Sequence, residues 1–246
     1  MPDRLTRKGP PPEVGIVHLG PGAFFRSFVA VYTDSALARD GGGWGIRAVG
    51  LQSPTARHQL APQGGCFTAL TLRPEGPSPR VIGSVVDVLV APEDPAAVLA
   101  AMADPAMRIV SLTVTEKGYC HNPATGALTL HHPDIRHDLA QPAAPRSAPG
   151  FIVAALARRR AEGRAPFTVL SCDNLPSNGA LVRGVVLDFA RALGGDLADW
   201  IAAEVRFPAT MVDRITPATT EGDIARLEAD QGYRDPAMVV CEPFSQ

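Results

Sequence analysis

Residues 14–28 read VGIVHLGPGAFFRSF, and the order of residue types in this stretch decides the fold. The apolar run that opens it is typical of a strand buried on both faces of a parallel sheet. Gly20 and Gly22 follow directly, and apolar residues then recur at helical spacing over 23–39. A strand, a glycine turn and a helix are typical of the first unit of a dinucleotide-binding fold, although Phe25 replaces the third glycine of G-x-G-x-x-G.

The remaining chain continues this alternation of strands and helices. It predicts a doubly wound, Rossmann-type α/β fold with a mostly parallel sheet, helices on both faces and a β excursion. The predicted strands are 46–51, 66–72, 80–90, 108–116 and the first part of 167–174, with a turn at 73–79. The predicted helices, the first of them capped by Asp94, are 92–103, 150–162 and 179–193. We expect a flexible leader over 1–13 and one domain over 14–246.

Composition excludes several classes of protein. Hydrophobic residues make up 46% of the chain, and the net charge is −2, so nothing favours binding to nucleic acid or to an anionic membrane. No run of eighteen apolar residues occurs, and the first residues lack the apolar centre of a signal peptide. The four cysteines form no CxxC pair, which predicts reduced thiols and a cytoplasmic location.

Polar residues follow several of the predicted strands, where ligands bind in open parallel sheets. These groups are 20–26, 115–117, 171–174 and 212–214. Any one of them could be a solvated loop, but their recurrence at one end of the sheet favours a ligand site there.

The first group meets the requirements of a pyrophosphate site. Gly20 permits the sharp turn, Gly22 permits close approach of the backbone, and the N–H groups of a helix starting near Ala23 would face the negative charge. The acid that commonly binds the ribose 2′-hydroxyl is missing, because the second strand is followed by GLQSPTAR. Arg57 lies nearby, so the sequence predicts an NAD site from which NADP is not excluded.

Five stretches carry a resemblance to a known family: IVHLGPGAFFRSFVAVYTDSAL, VSLTVTEKGY, LSCDNLPSNG, FPATMVDRITPATT and VVCEPF. In this order and spacing they resemble the N-terminal Rossmann half of the mannitol dehydrogenase family, the polyol-specific long-chain dehydrogenases, over about 14–246. The first family motif usually reads G-x-G-x-F-H-R. Phe24 and Arg26 match it, Phe25 replaces the histidine, and the missing third glycine is therefore a family trait.

The resemblance implies hydride transfer between NAD(P) and C2 of a sugar alcohol or sugar acid, such as mannitol/fructose or mannonate/fructuronate, without a metal. It implies that Asn174 donates a hydrogen bond to the developing alkoxide. It further implies substrate contacts from Asp213 and Arg214. The residues expected to bind the cofactor are Gly20, Gly22, Ala23, Phe24, Gln52, Ser53, Thr115 and Glu116.

The general base of the family is a lysine of the helical second domain, which follows CEPF. Lys8 and Lys117 are the only lysines here. Lys8 lies in the leader and Lys117 in VSLTVTEKGY on the cofactor side, so neither is that base and we expect the chain alone to be inactive. It could be a fragment, one subunit of a split enzyme, or a non-catalytic dinucleotide-binding module. We also expect it to associate through the surface that the second domain would cover. Ser177 stands where the family has histidine.

Other features of the sequence point to structural roles or to rival functions. His18 is predicted to be a hydrogen-bonded core residue, and 158–160 a solvated helix end. The histidines at 121, 131, 132 and 137 fit no common zinc spacing and are expected in a polar loop. A methyltransferase would normally need an acid after the second strand, and a hydrolase of the G-x-S-x-G type would need that motif; the chain has neither.

Overall fold

Ten strands and ten α-helices occur among residues 3–243, the part of the chain that this computed structural model describes. The strands are β1 Asp3–Arg4, β2 Val14–Leu19, β3 Gly45–Gly50, β4 Phe67–Arg73, β5 Gly76–Ile82, β6 Val85–Val90, β7 Ile109–Leu112, β8 Thr168–Ser171, β9 Tyr233–Arg234 and β10 Val239–Cys241. The helices are α1 Ala23–Ser27, α2 Val29–Asp40, α3 Thr55–Leu60, α4 Pro95–Ala103, α5 Thr115–Gly118, α6 Pro133–Ala140, α7 Ala148–Ala161, α8 Asn178–Leu193, α9 Leu197–Glu204 and α10 Glu221–Gln231.

Five of these strands form the central sheet, in the order β6-β3-β2-β7-β8, and every neighbouring pair is parallel. β2 lies in the middle, and the chain moves to one side of it through β3 and β6 and to the other through β7 and β8. Such a reversal leaves a crevice at the carboxyl ends of the central strands. The predicted Rossmann-type fold is confirmed.

The two faces of the sheet pack on different layers because side chains alternate along each strand. Val17 and Leu19 of β2 belong to a core with α4, α7 and α8. Ile16 belongs to a second core on the opposite face, with residues of α1, α2 and α3 and of the smaller sheet. Both faces are therefore covered by helices, as predicted.

The β excursion is a second, three-stranded sheet in the order β10-β4-β5. β4 and β5 are antiparallel, and β5 starts at Gly76, so the turn expected over 73–79 is shorter than predicted. Pro77 and Pro79 lie within β5. They are tolerated because β5 is an edge strand, where an N–H group is not needed on the outer side.

The N-terminal segment differs from the expected flexible leader. Asp3 and Arg4 pair in parallel with Tyr233 and Arg234, and the side chain of Leu5 is buried. The guanidinium of Arg7 donates hydrogen bonds of 2.7 and 2.6 Å to two backbone carbonyls of the domain. The buried Leu5 side chain and these hydrogen bonds hold the N-terminal segment on the rest of the domain. The composition of the segment did not predict these contacts.

The helix predicted over 23–39 is interrupted at Phe28, which has φ −116° and ψ −88°. Its ring lies 5.2 Å from the ring of Phe24 and 4.8 Å from that of Tyr32, measured between centroids.

The strand predicted over 108–116 ends at Leu112, because the backbone beyond it turns towards other hydrogen-bond partners.

The expectation that 158–160 form a solvated helix end is wrong for Arg159. Its side chain is only 3% exposed and donates hydrogen bonds to four backbone carbonyls, those of Met102, Asp104, Met107 and Ala165. The guanidinium thus joins the last turn of α7 to the end of α4 and the loop that follows it. Arg158 and Arg160 pair with Glu162 and Asp196 at the surface.

Candidate functional site

A cleft of about 540 Å³ opens at the carboxyl ends of β2, β3 and β7. It lies where the sheet topology predicts a ligand site. The residues that line it are Gly20, Pro21, Gly22, Ala23, Arg26, Gly50, Leu51, Gln52, Ser53, Thr55, Ala56, Gln59, Thr113, Val114, Thr115 and Gly118. We refer to this space as the cleft.

Gly20 forms the tight turn from β2 into the cleft. Its φ is +91°, a region that favours glycine, and a Cβ atom at this position would overlap the backbone carbonyl of Thr113. The N–H of Gly20 donates to Val49 O at 3.0 Å, and Thr113 Oγ1 donates to Gly20 O at 2.6 Å. The turn is therefore fixed against both neighbouring strands.

Gly22 behaves differently, because a Cβ atom placed there would meet nothing within 4 Å. It is the N-cap of α1 and provides no capping side chain. The first N–H groups of a helix have no partner within the helix, so those of α1 remain available at the edge of the cleft. Open space beside available N–H groups fits the approach of a phosphate to the backbone.

Phe25 takes the place of the third glycine without obstructing this site. Its ring is buried beneath the helix and stacks on the ring of His18, with 3.9 Å between centroids. His18 is hydrogen-bonded to Ser111 Oγ at 2.8 Å and Thr113 Oγ1 at 2.9 Å. Burial lowers the pKa of His18 to about 3, against the smaller opposing effect of the Gly20 carbonyl, so the ring is neutral. The prediction of a hydrogen-bonded core histidine is confirmed.

The side of the cleft beyond β3 is formed by Gln52, Ser53 and Thr55, and no carboxylate lies among the described residues that line the cleft. Arg57 is not among them either. Its guanidinium forms two hydrogen bonds with the Glu93 carboxylate, at 2.6 and 2.8 Å. The hydrogen bonds to Glu93 raise the pKa of Arg57.

The loop after β7 is joined to the loop after β8 by the Asp173 carboxylate. This group accepts hydrogen bonds from the N–H groups of Val114 and Thr115, both at 3.0 Å, and from the hydroxyl of Tyr119 at 2.7 Å. Thr115 has a φ of +63°, which the two loops hold in place. Asn174 follows Asp173 directly and is exposed. The structure therefore brings Asn174 next to the loop that borders the cleft.

Asp213 and Arg214 lie between α9 and α10, in a segment without helix or strand. Asp213 is exposed. The Arg214 guanidinium donates to Ser27 O at 2.5 Å and to Glu242 O at 3.2 and 3.1 Å. These hydrogen bonds fasten the segment to the end of α1, a role that the sequence did not indicate.

Six of the eight residues predicted to bind a cofactor line the cleft: Gly20, Gly22, Ala23, Gln52, Ser53 and Thr115. Phe24 stacks on Phe28 and Glu116 is exposed on α5, and neither is among the lining residues. The prediction omitted Gln59 and Thr113, which carry no recognisable signal, and Arg26, which the resemblance had already marked as matching a motif.

The histidine-rich excursion contributes local hydrogen bonds. The N–H of Asp134 donates to His132 Nδ1 at 3.3 Å at the start of α6, and His137 Nδ1 lies 3.1 Å from Asp138 Oδ1. Within residues 3–243 no three His, Cys, Asp or Glu side chains are grouped so that they could hold a metal ion. The four cysteines are buried and form no disulfide. None of the described helices has the length and apolar character needed to cross a membrane.

Comparison with known proteins identifies relatives over most of the chain. A mannitol 2-dehydrogenase of Cereibacter sphaeroides is 47% identical over 235 residues, which cover 94% of this chain and 49% of that protein. An uncharacterized oxidoreductase of Escherichia coli, YeiQ, is 46% identical over 233 residues and is covered to 48%. The chain thus spans about half the length of the curated relatives it matches.

Solved structures agree with the sequence relatives. The mannitol 2-dehydrogenase of Pseudomonas fluorescens, in a ternary complex with NAD and D-mannitol, superposes with a TM-score of 0.91 at 45% identity. The match covers 96% of this chain and 49% of that one. The family model of the mannitol dehydrogenase Rossmann domain matches residues 14–246. The chain therefore belongs to the mannitol dehydrogenase family, of which it contains the Rossmann domain.

Proposed function

We propose that the cleft binds NAD(H) and that the chain is the cofactor-binding half of a polyol dehydrogenase. The reaction would transfer a hydride between the nicotinamide and C2 of a sugar alcohol or sugar acid, such as mannitol/fructose or mannonate/fructuronate. The observation that carries this proposal is the open space at Gly22, which lies beside the tight Gly20 turn at the reversal point of the sheet. The NAD complex of the Pseudomonas fluorescens relative supports it.

The residues of the cleft suit the parts of a dinucleotide. The first N–H groups of α1, near Ala23 and Phe24, would bind the pyrophosphate. Gln52, Ser53 and Thr55 offer neutral hydroxyl and amide groups to the ribose. Thr115 and Glu116, at the start of α5, would lie towards the nicotinamide half.

The bound nicotinamide would supply the hydride chemistry, and Asn174 would supply a hydrogen bond. Its side-chain amide can donate to the carbonyl or alkoxide oxygen of the substrate without bringing a negative charge. Asp213 would contact the same substrate, with Arg214 holding their segment in position.

Neither Lys8 nor Lys117 is among the described residues that line the cleft, so those residues supply no lysine to accept the proton of the alcohol. We therefore expect cofactor binding without turnover by these 246 residues. This observation also favours the second candidate function, a non-catalytic dinucleotide-binding module or one subunit of a split enzyme. The buried thiols support a reducing, cytoplasmic location.

Discrimination between NAD and NADP is expected to be weak. The described lining residues include no carboxylate to repel a 2′-phosphate, and the Arg57 guanidinium is already hydrogen-bonded to Glu93. The Arg57→Ala variant should therefore leave the ratio of the NADH and NADPH dissociation constants unchanged. A ratio that strongly favours NADH in the unaltered chain would contradict weak discrimination.

The proposal is tested by calorimetric titration of the purified chain with NADH and NADPH, together with mannitol and fructose turnover assays. Binding without turnover is the predicted result. Turnover by this chain alone would mean that a base lies within it. Absence of binding by either cofactor would contradict the proposed function.

A further inference from the structure

Arg26 is the one residue with an ionisable side chain among the described residues that line the cleft. It lies in the fourth position of α1, one turn from Gly22. Its side chain is only 7% exposed, although the cleft is open to solvent. A buried positive charge in an otherwise neutral wall needs a partner, because burial of an unpaired charge is costly.

The hydrogen bonds of Arg26 within the protein are few and long. Nη1 donates to Pro21 O at 3.5 Å and to Gln59 Oε1 at 3.3 Å, whereas bonds from a guanidinium to an anion are typically about 2.7–2.9 Å. The Nε atom is buried and has no partner within the described part of the chain. Burial lowers the pKa of Arg26 to about 10, with Asp235 acting in the opposite direction, so the guanidinium is charged at neutral pH.

We propose that Arg26 is the anion receptor of the cleft and binds a phosphate group of the ligand. This inference rests on the proposed function for the identity of the ligand, a dinucleotide. A planar guanidinium can form paired hydrogen bonds with phosphate oxygens, and the other polar side chains among the described lining residues are neutral. The phosphate is either the pyrophosphate, which NADH and NADPH share, or the 2′-phosphate of NADPH.

The test compares the unaltered chain with Arg26→Gln and Arg26→Lys. The control is Arg191→Gln, which removes the same charge from an exposed ion pair with Asp188. Calorimetry measures the dissociation constants for NADH, NADPH and inorganic pyrophosphate at two salt concentrations. Loss of a charged hydrogen bond weakens binding by roughly ten- to hundredfold, so we expect Arg26→Gln to bind that much more weakly. Arg26→Lys should recover part of this affinity, and the control should bind as tightly as the unaltered chain.

The ligands separate the two sources of the phosphate. Equal losses for NADH and NADPH assign Arg26 to the pyrophosphate, and a loss confined to NADPH assigns it to the 2′-phosphate. In either case the salt dependence of binding should become weaker in Arg26→Gln, which a purely structural role would not produce. Melting temperatures identify any variant that has failed to fold, and Arg26→Lys then carries the comparison.

Failure of this inference differs from failure of the proposed function. NADH binding that is unchanged in Arg26→Gln would overturn the role of Arg26 and leave the cofactor site intact. Pyrophosphate binding that depends on Arg26, without NADH binding, would support Arg26 and overturn the cofactor. Absence of binding by all three ligands to the unaltered chain would overturn both.

Discussion

The hydroxyl of Tyr119 donates a hydrogen bond of 2.7 Å to Oδ2 of Asp173 and lies 2.6 Å from Ser171 Oγ. Tyr119 is completely buried, and burial together with the Asp173 charge raises the pKa of its hydroxyl. The same carboxylate accepts two N–H groups of the loop after β7. One buried phenol therefore links the loop that borders the cleft to the loop that carries Asn174.

We expect Tyr119→Phe to lower the free energy of unfolding by about 1–3 kcal/mol, because the carboxylate loses a buried donor. The loss should be accompanied by weaker cofactor binding, since Val114 and Thr115 line the cleft. Tyr32→Phe is the matched control, because the Tyr32 hydroxyl is buried with no partner in the described part of the chain. Denaturant titration measures the unfolding free energies of the two variants, and calorimetric titration with NADH measures cofactor binding. Equal stability of the two variants would contradict this role of Tyr119.

A second prediction concerns the buried guanidinium of Arg159. Arg159→Leu leaves four backbone carbonyls without their donor, and we expect it to lower the unfolding free energy by roughly 3 kcal/mol or more. Arg158→Leu, in the neighbouring exposed pair with Glu162, should cost less than about 1 kcal/mol. If urea unfolding shows similar costs for the two, Arg159 does not hold the loop after α4.

Several of these features could be predicted from the sequence because their causes are local. The order of strand, glycine turn and helix predicted the Rossmann-type fold. Asp94 before Pro95 predicted the start of α4, where Asp94 Oδ1 accepts a hydrogen bond of 2.8 Å from the Ala97 N–H. The same glycine turn predicted that Gly20 and Gly22 lie at the ligand cleft, which both of them line.

Other features depend on contacts between distant segments, and local patterns do not contain them. Arg159 stands in a run of charged residues and is buried only because a loop some fifty residues earlier presents its carbonyls. Arg26 lies on a helix that packs on the sheet. It lines the cleft together with Pro21 and Gln59, to which its guanidinium donates hydrogen bonds, and local patterns do not indicate these contacts. The leader is held by pairing with Tyr233 and Arg234, far along the chain.

His18 provides a prediction on pH. Its pKa in the folded state, about 3, is far below the ordinary value of 6.5, so only the unfolded chain takes up this proton between those pH values. The unfolding free energy should therefore fall as the pH is lowered through 6.5, by about 1.4 kcal/mol in total between pH 7.5 and 5.5 for this group. Denaturant unfolding at pH 7.5, 6.5 and 5.5 measures the slope. His18→Gln should reduce that slope, and an unchanged slope would exclude His18 as its source.

The surface beside β2, β7 and β8 leads to a prediction on association. An apolar groove of about 370 Å³ is bordered there by Ile16, Phe28, Ile109, Leu170 and Met211. Met211 is 66% exposed. Because exposed apolar surface of this kind favours contact with another chain, we expect light scattering to show concentration-dependent association and a hydrophobic dye to bind.

Met211→Asp should reduce this association, while Leu130→Asp, at an exposed residue that does not line the groove, should leave it unchanged. A monodisperse monomer that binds no dye would contradict the prediction.

A cofactor site at the turn of Gly20 and Gly22 can be distinguished from a merely tight connection by the Gly22→Ala variant. The added methyl meets no protein atom within 4 Å, so the unfolding free energy should change by less than about 0.5 kcal/mol. A ligand against the backbone would instead meet the methyl, and overpacking by one carbon weakens binding by roughly tenfold or more. Gly20→Ala, with φ +91° and a clash at Thr113, should lose stability itself.

The measurement is therefore calorimetric titration of NADH into the unaltered chain and into Gly22→Ala, with unfolding recorded for both. We expect the unaltered chain to bind NADH and the folded variant to bind it at least about tenfold more weakly. Equal affinities, or no binding by the unaltered chain, would contradict it.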